Sequence, residues 1–321
     1  MIQIVPVAQP AVASATQSAH TIAALIGFQS QLEACIALHS NNIVDLPSSL
    51  EELYKLWNEA HRQSKKPPKH RGNCGLPITR SLPPQLQHYE QDVKSRPTFK
   101  RHYPDQALYR VTLVPVCHLI TPQWYADLDY IAAIQRNIPQ PGDLEEALEL
   151  AFKEEDGIAA PSIVTQGNIS IATFQRPASN LIVGSPEIDS TNPHKTKVTW
   201  PVETKANYLQ VCEIDSQFVI VNGVHRSAAF LAAGWNYIPC LLRKAKGLYE
   251  VFQLGTLGVL HEPQKLQYPP YICSLFDPAV ALRFQQADVD QQLQIISQWT
   301  ATNIVRVSQG SAAPLPAQAQ V

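Results

Sequence analysis

Residues 218–243 read FVIVNGVHRSAAFLAAGWNYIPCLLR, and the reading of this stretch fixes the expectations for the rest of the chain. Phe218 to Val221 is a short, continuously apolar run that ends at a turn signal, which predicts a buried strand. Asn222 and Gly223 can both take positive φ, and Gly223 has no side chain to keep a ligand from its backbone. A helix then starts near Val224 and runs through Ser227, Ala228, Ala229, Phe230, Leu231 and Ala232, with Gly234 in place for a left-handed C-terminal cap. An aromatic-rich strand through Ile238, Pro239 and Cys240 follows.

The order strand, tight turn, helix start, short helix, strand predicts an anion site. A helix N-terminus offers free N–H groups and about half a positive charge, which suits phosphate. Cations are unfavourable there, so His225 and Arg226 in the first turn are misplaced for stability alone. A bound anion resolves the conflict. Arg226 can grip a phosphate through two N–H groups, and His225 can donate a hydrogen bond or titrate near neutrality. The plainer reading is that Asn-Gly closes a strand, Arg226 pairs locally and His225 only packs.

Gly223-Val224-His225-Arg226, followed by an Ala-rich helix, a Gly and a strand with Ile-Pro, resembles the ParB/sulfiredoxin-like superfamily. Tyr109 to Pro122, YRVTLVPVCHLITP, is similar to the opening strand of that superfamily, and the helix after it falls at residues 124–136 or 144–153. The resemblance covers roughly residues 108–245. It implies a compact α/β (α+β) fold, a mixed sheet with short helices, in which residues Asn222, Gly223, Val224, His225, Arg226 and Ser227 hold the phosphates of a nucleotide. ATP or CTP, with Mg2+ bridging the phosphates, is the cofactor it implies. The implied activities are phosphoryl transfer, nucleotide hydrolysis or nuclease action, with His225, Asp127 and Asp129 as the catalytic groups. Val224 stands where sulfiredoxins carry a reactive Cys, so sulfinate repair is not expected. Val224-His225 also departs from the Gly-Glu-Arg-Arg of the CTP-hydrolysing branch. The alternative is a ParB-like module that binds DNA or a protein partner without turnover.

Composition sets the bounds. The chain has 321 residues, 45% hydrophobic and 16% charged, which predicts a folded chain with ample core. The 26 prolines predict long, irregular connections. No run of about 18 uninterrupted apolar residues occurs, so no membrane span is expected. Lys55 is the first Lys or Arg, so the start lacks the basic region of a secretory or transit peptide. The six cysteines (Cys35, Cys74, Cys117, Cys212, Cys240 and Cys273) show no paired spacing and suit reduced thiols in a cytoplasmic protein. There is no Walker A loop, no dinucleotide fingerprint and no nucleophile elbow.

The net charge of −2 hides an asymmetry. Residues 55–102 hold eleven Lys/Arg against three acids, a net +8, which leaves −10 for the remainder. Lys65, Lys66, Lys69 and Arg71, around two prolines, are the candidate nucleic-acid contacts, and a solvated loop is the plainer account.

Along the chain, residues 1–106 read as a helical and basic, loop-rich extension. Helical spacing of Ile22, Leu25, Ile26, Leu32 and Ile36 predicts one or two helices over residues 11–40. Ser48 and Glu51 fit a capping box for the next helix. Residues 107–307 form the expected ParB/sulfiredoxin-like domain, with strands at 163–164 and 169–174 and an insertion near 180–200. A hairpin crosses Asp215-Ser216, a closing strand falls at 303–307, and residues 308–321 form a disordered tail. Asp127 and Asp129 are read as helix caps before they are read as catalytic acids. Glu213 and Asp215 lie near the turn in sequence.

Overall fold

The structure is a computed structural model and describes residues 18–66, 78–154, 161–166, 169–175, 181–192, 195–204, 206–254, 258–261, 263–287 and 292–298. It has an α+β architecture of open sheets and short helices. The chain divides into two compact units. The larger draws on Pro10–Ile158 and Ala178–Val289, and the smaller on Met1–Gln9, Ala159–Pro177 and Asp290–Val321.

In the larger unit the elements run as follows: strand β1 (Ala19–Ala24), helices α1 (Gln31–Ser40), α2 (Leu50–Ser64), α3 (His88–Ser95) and α4 (Pro97–His102), strands β2 (Tyr109–Pro115), β3 (Leu119–Ile120) and β4 (Tyr125–Asp127), and helices α5 (Leu128–Gln135) and α6 (Leu144–Ala151). The smaller unit contributes β5 (Ser162–Gln166) and β6 (Ile169–Gln175). The larger unit resumes with β7 (Leu181–Val183), β8 (Glu187–Asn192), β9 (Lys195–Thr199), β10 (Val202–Thr204), β11 (Gln210–Ile214), β12 (Gln217–Asn222), helix α7 (Val224–Ala232), β13 (Tyr237–Lys244), helix α8 (Leu248–Leu254) and β14 (Leu282–Ala287). Strand β15 (Gln292–Gln298) belongs to the smaller unit.

The main sheet has five strands in the order β2-β13-β11-β12-β3. β13 is antiparallel to β2 and parallel to β11, β11 and β12 form an antiparallel hairpin, and β3 runs parallel to β12. The hairpin turns at Asp215 (φ 46°) and Ser216 (φ 65°), the two positive-φ positions that match the right-handed twist of paired strands. Continuous apolar runs such as Val111, Val114, Val211, Ile220, Leu241 and Leu242 are buried, as a sheet covered on its faces requires. Helix α6 packs on β13, and α5 packs on α7.

A second sheet, β14-β1-β4, is wholly antiparallel. β1 is its central strand and pairs residue for residue from Ala19↔Ala287 to Ala24↔Leu282. The helical reading of residues 11–40 is corrected here. Residues 19–24 are a strand, and the helix begins only at Gln31, with Ser30 as a complete capping box with Glu33. Leu32 and Ile36, expected on the buried face, are 70% and 57% exposed, while Ile22, Leu25 and Ile26 are fully buried. Pairing across the sheet outweighs local helical spacing at this point. The next helix is capped by Ser49, one residue later than expected, through the Glu52 N–H.

The strand expected over residues 109–122 breaks after Pro115 into a short 3-10 turn before β3. Both candidate helices beyond it form, as α5 and α6. Within the stretch read as an insertion, β7 pairs with β10 and β8 with β9. In the smaller unit β6 lies between β15 and β5, all antiparallel. The strand expected at 303–307 and the tail at 308–321 lie outside the described residues.

Candidate anion site at the first turn of helix α7

Strand β12 ends at Asn222, and Gly223 turns the chain with φ 97° and ψ 31°. Only Gly223 takes positive φ, and Asn222 stays in the strand. A Cβ on Gly223 would lie 3.2 Å from Leu209 Cγ, so the position is restricted by space as well as by conformation. Helix α7 closes as the sequence predicts. Gly234 (φ 85°) donates its N–H to Leu231 O at 3.0 Å, and Trp235 donates to Phe230 O at 3.0 Å, the paired bonds of a Schellman cap.

The six residues expected to hold phosphate separate into inward and outward groups. Val224 is buried in the main core. Ser227 is fully buried, which withdraws it from a surface ligand, and its hydroxyl has no hydrogen-bond partner among the described residues. Asn222 Nδ2 donates to Asn207 Oδ1 at 3.1 Å and to Tyr208 O at 3.0 Å. Arg226 also turns inward. Its Nη1 donates to Leu150 O and Ala151 O, each at 3.3 Å, and Nη2 donates to Asn207 Oδ1 at 3.0 Å. Those carbonyls end α6, where a cation offsets the helix dipole and satisfies terminal acceptors. The guanidinium thus meets a helix C-terminus distant in sequence, where the plainer reading had it satisfied locally.

His225 has a different environment. It is half-buried, and its Nε2 accepts the Asp127 backbone N–H at 3.1 Å. An accepting Nε2 leaves the proton of the neutral ring on Nδ1, which donates to no protein group among the described residues. Burial pushes the His225 pKa below its ordinary value, an effect the nearby Asp127 charge partly offsets. The Tyr130 ring meets the imidazole edge-on at 5.3 Å. No side chain caps α7, and the Val224 and His225 amides donate to no group among the described residues.

The structure brings Asp127 to His225 through the Asp127 backbone N–H, and Asp129 follows in the first turn of α5. Asp127 Oδ1 accepts the Tyr130 N–H at 2.8 Å and so caps α5, while Oδ2 lies 3.6 Å from His20 Nε2. Asp129 Oδ2 accepts the Thr21 N–H at 2.7 Å and ties α5 to β1. Each carboxylate thus accepts one backbone N–H. His20 and Tyr130 were missed by sequence reading. Tyr130 stands three residues after a capping Asp, a spacing that points to it, whereas His20 arrives from β1, where no local signal exists. Glu213 and Asp215 lie at the far end of the β11–β12 hairpin from the turn. Among the described residues no group of three or more His, Cys, Asp or Glu side chains is arranged to hold a metal ion.

Part of the basic segment is neutralised locally. Lys55 pairs with Glu51, Arg62 with Glu59, Lys94 with Glu90 and Arg101 with Glu203. Arg80 lies over the Tyr237 ring at 3.8 Å. Lys65 and Lys66 are exposed at the end of α2, and Lys69 and Arg71 lie outside the described residues. Cys35, Cys212, Cys240 and Cys273 form no disulfide. Burial raises the Cys212 thiol to about 12 and also pushes the Cys240 thiol up, which makes both inert as nucleophiles. Cys117 is disulfide-bonded, against the expectation that every thiol is reduced. Unpaired spacing along the chain carries no information about pairing in space. No helix among the described residues is long and apolar enough to cross a membrane.

Comparison of the chain with protein-family models, with curated proteins and with solved structures finds no match in any of the three.

Proposed function

We propose that the first turn of α7 binds the phosphate of a nucleotide or a phosphorylated small molecule without turning it over. The observation that carries this reading is the uncapped turn: two helix-terminal amides and the Nδ1–H of His225 donate to nothing among the described residues. Such donors at a helix N-terminus suit an anion, because the dipole and the N–H groups act in the same direction. In this reading His225 is the ligand-contacting residue and Arg226 is a positioning residue that fixes α7 against α6. Binding is favoured over catalysis because the Asp127 and Asp129 carboxylates are already occupied.

Calorimetric titration with ATP, ADP, CTP and GTP, with and without Mg2+, tests the reading. Wild type should bind at least one of them, and His225→Ala should weaken that binding about tenfold, the equivalent of one hydrogen bond to a charged group. Equal affinity in the folded His225→Ala protein would remove the turn from consideration.

A further inference from the structure

A cavity of about 250 Å3 opens between the end of α2 and residues 267–280. Its walls are firmly held. A Cβ on Gly27 would lie 2.4 Å from the Ala60 carbonyl carbon, so only glycine lets the 26–28 turn approach α2 this closely. Gly27 O accepts from His61 Nδ1 at 2.7 Å and from the Ser64 hydroxyl at 3.1 Å, and Lys265 Nζ donates to Phe28 O at 3.1 Å. Phe28, Tyr271 and Val280 provide apolar surface, and Lys65, Lys66, Ser274 and Asp277 the polar groups.

Asp277 is only 6% exposed. One carboxylate oxygen accepts the Ala279 N–H at 3.0 Å, and no cation pairs with the group among the described residues. Ser274 is 3% exposed, and its hydroxyl makes no hydrogen bond among the described residues. Lys65 and Lys66 form no ion pair among them either. A buried carboxylate without a cation is costly, and a ligand that brings one offsets that cost. The two lysines call for an anion on the same ligand. The volume corresponds to about eight waters at ~30 Å3 each, which suits an amino acid and is small for a nucleotide.

We propose that this cavity binds a free α-amino acid with an apolar side chain. Its ammonium meets Asp277 and the Ser274 hydroxyl, its carboxylate meets Lys65 and Lys66, and its side chain lies against Phe28 and Tyr271. The site is separate from the α7 turn and does not depend on phosphate binding there.

Calorimetry of the whole chain with L-leucine, L-phenylalanine, phenylpropionate and phenethylamine tests it. At least one amino acid should bind saturably, and the two analogues, each lacking one charged end, should bind at least tenfold more weakly. Asp277→Asn keeps the acceptor for Ala279 and should weaken binding at least tenfold. The surface double variant Lys65→Ala/Lys66→Ala should weaken it several-fold, and it carries the test alone if Asp277→Asn fails to fold. The assignment is overturned if neither amino acid binds the wild type, if both analogues bind as tightly as the amino acids, or if the folded variants keep wild-type affinity.

Discussion

Two neighbouring residues, His225 and Arg226, stand on the same helical turn, about 100° apart, and meet different elements. The Arg226 face looks into the protein, where the guanidinium is shared among two α6 carbonyls and Asn207. The His225 face looks toward α5 and β4, where one ring nitrogen is fixed by a backbone N–H and the other donates to no protein group among the described residues. Cations beside a helix N-terminus thus need not mean that both contact a ligand. One of them joins two elements, and the joint leaves the other in a set orientation.

The largest test of this contrast is Arg226→Ala. It takes the charged donor from Leu150 O and leaves Ala151 O and Asn207 Oδ1 with one donor each, from the Leu209 N–H and Asn222 Nδ2, and should cost about 2–3 kcal/mol of folding stability, read as a shift in denaturant midpoint. A variant as stable as wild type that loses only nucleotide affinity would reverse the roles of the two residues. Next in size, Gly223→Ala forces a side chain into positive φ and against Leu209 Cγ, and about 1–2 kcal/mol should be lost in the same measurement.

The pH dependence sharpens the other face. The His225 pKa is lowered on folding, so below about 6.5 the unfolded chain binds this proton more readily than the native protein. The contribution of His225 is therefore complete above about pH 6.5 and is lost on acidification toward the folded-state pKa. Denaturation of wild type and His225→Gln at pH 5 and 7.5 should give a smaller pH difference in the variant. An identical difference would mean that burial of the ring has no energetic weight. The smallest effect belongs to the solvated surface. Lys55→Ala, which removes an exposed i,i+4 pair with Glu51, should change stability by less than about 0.5 kcal/mol.

What could be read from the chain depended on how far apart the partners lie. The β11–β12 hairpin, the Gly223 turn, α7 and its Gly234 cap were all legible because each rests on residues within a few positions of one another. The capping role of Asp127 was legible for the same reason. The orientation of Arg226 was not, because its acceptors come from a helix about 75 residues upstream. Helical spacing in residues 11–40 misled because the pairing that makes 19–24 a strand comes from the other end of the unit. The cavity beside α2 left no trace in the sequence at all, since Lys65 and Lys66 read as solvated charge until Asp277 is seen to line the same cavity.

The central place of β1 has a kinetic consequence. His20 meets Gln286 across 266 positions of chain, and every rung of the β1–β14 ladder closes a loop of similar size. Such closure is slow, because its entropy cost is met before any contact repays it. During synthesis β1 emerges before β14 and has no β14 to pair with until residue 287 has left the ribosome. For most of that interval the strand that will be the middle of its sheet is an edge, and its unpaired backbone is the point at which the nascent chain is most open to pairing with the wrong strand.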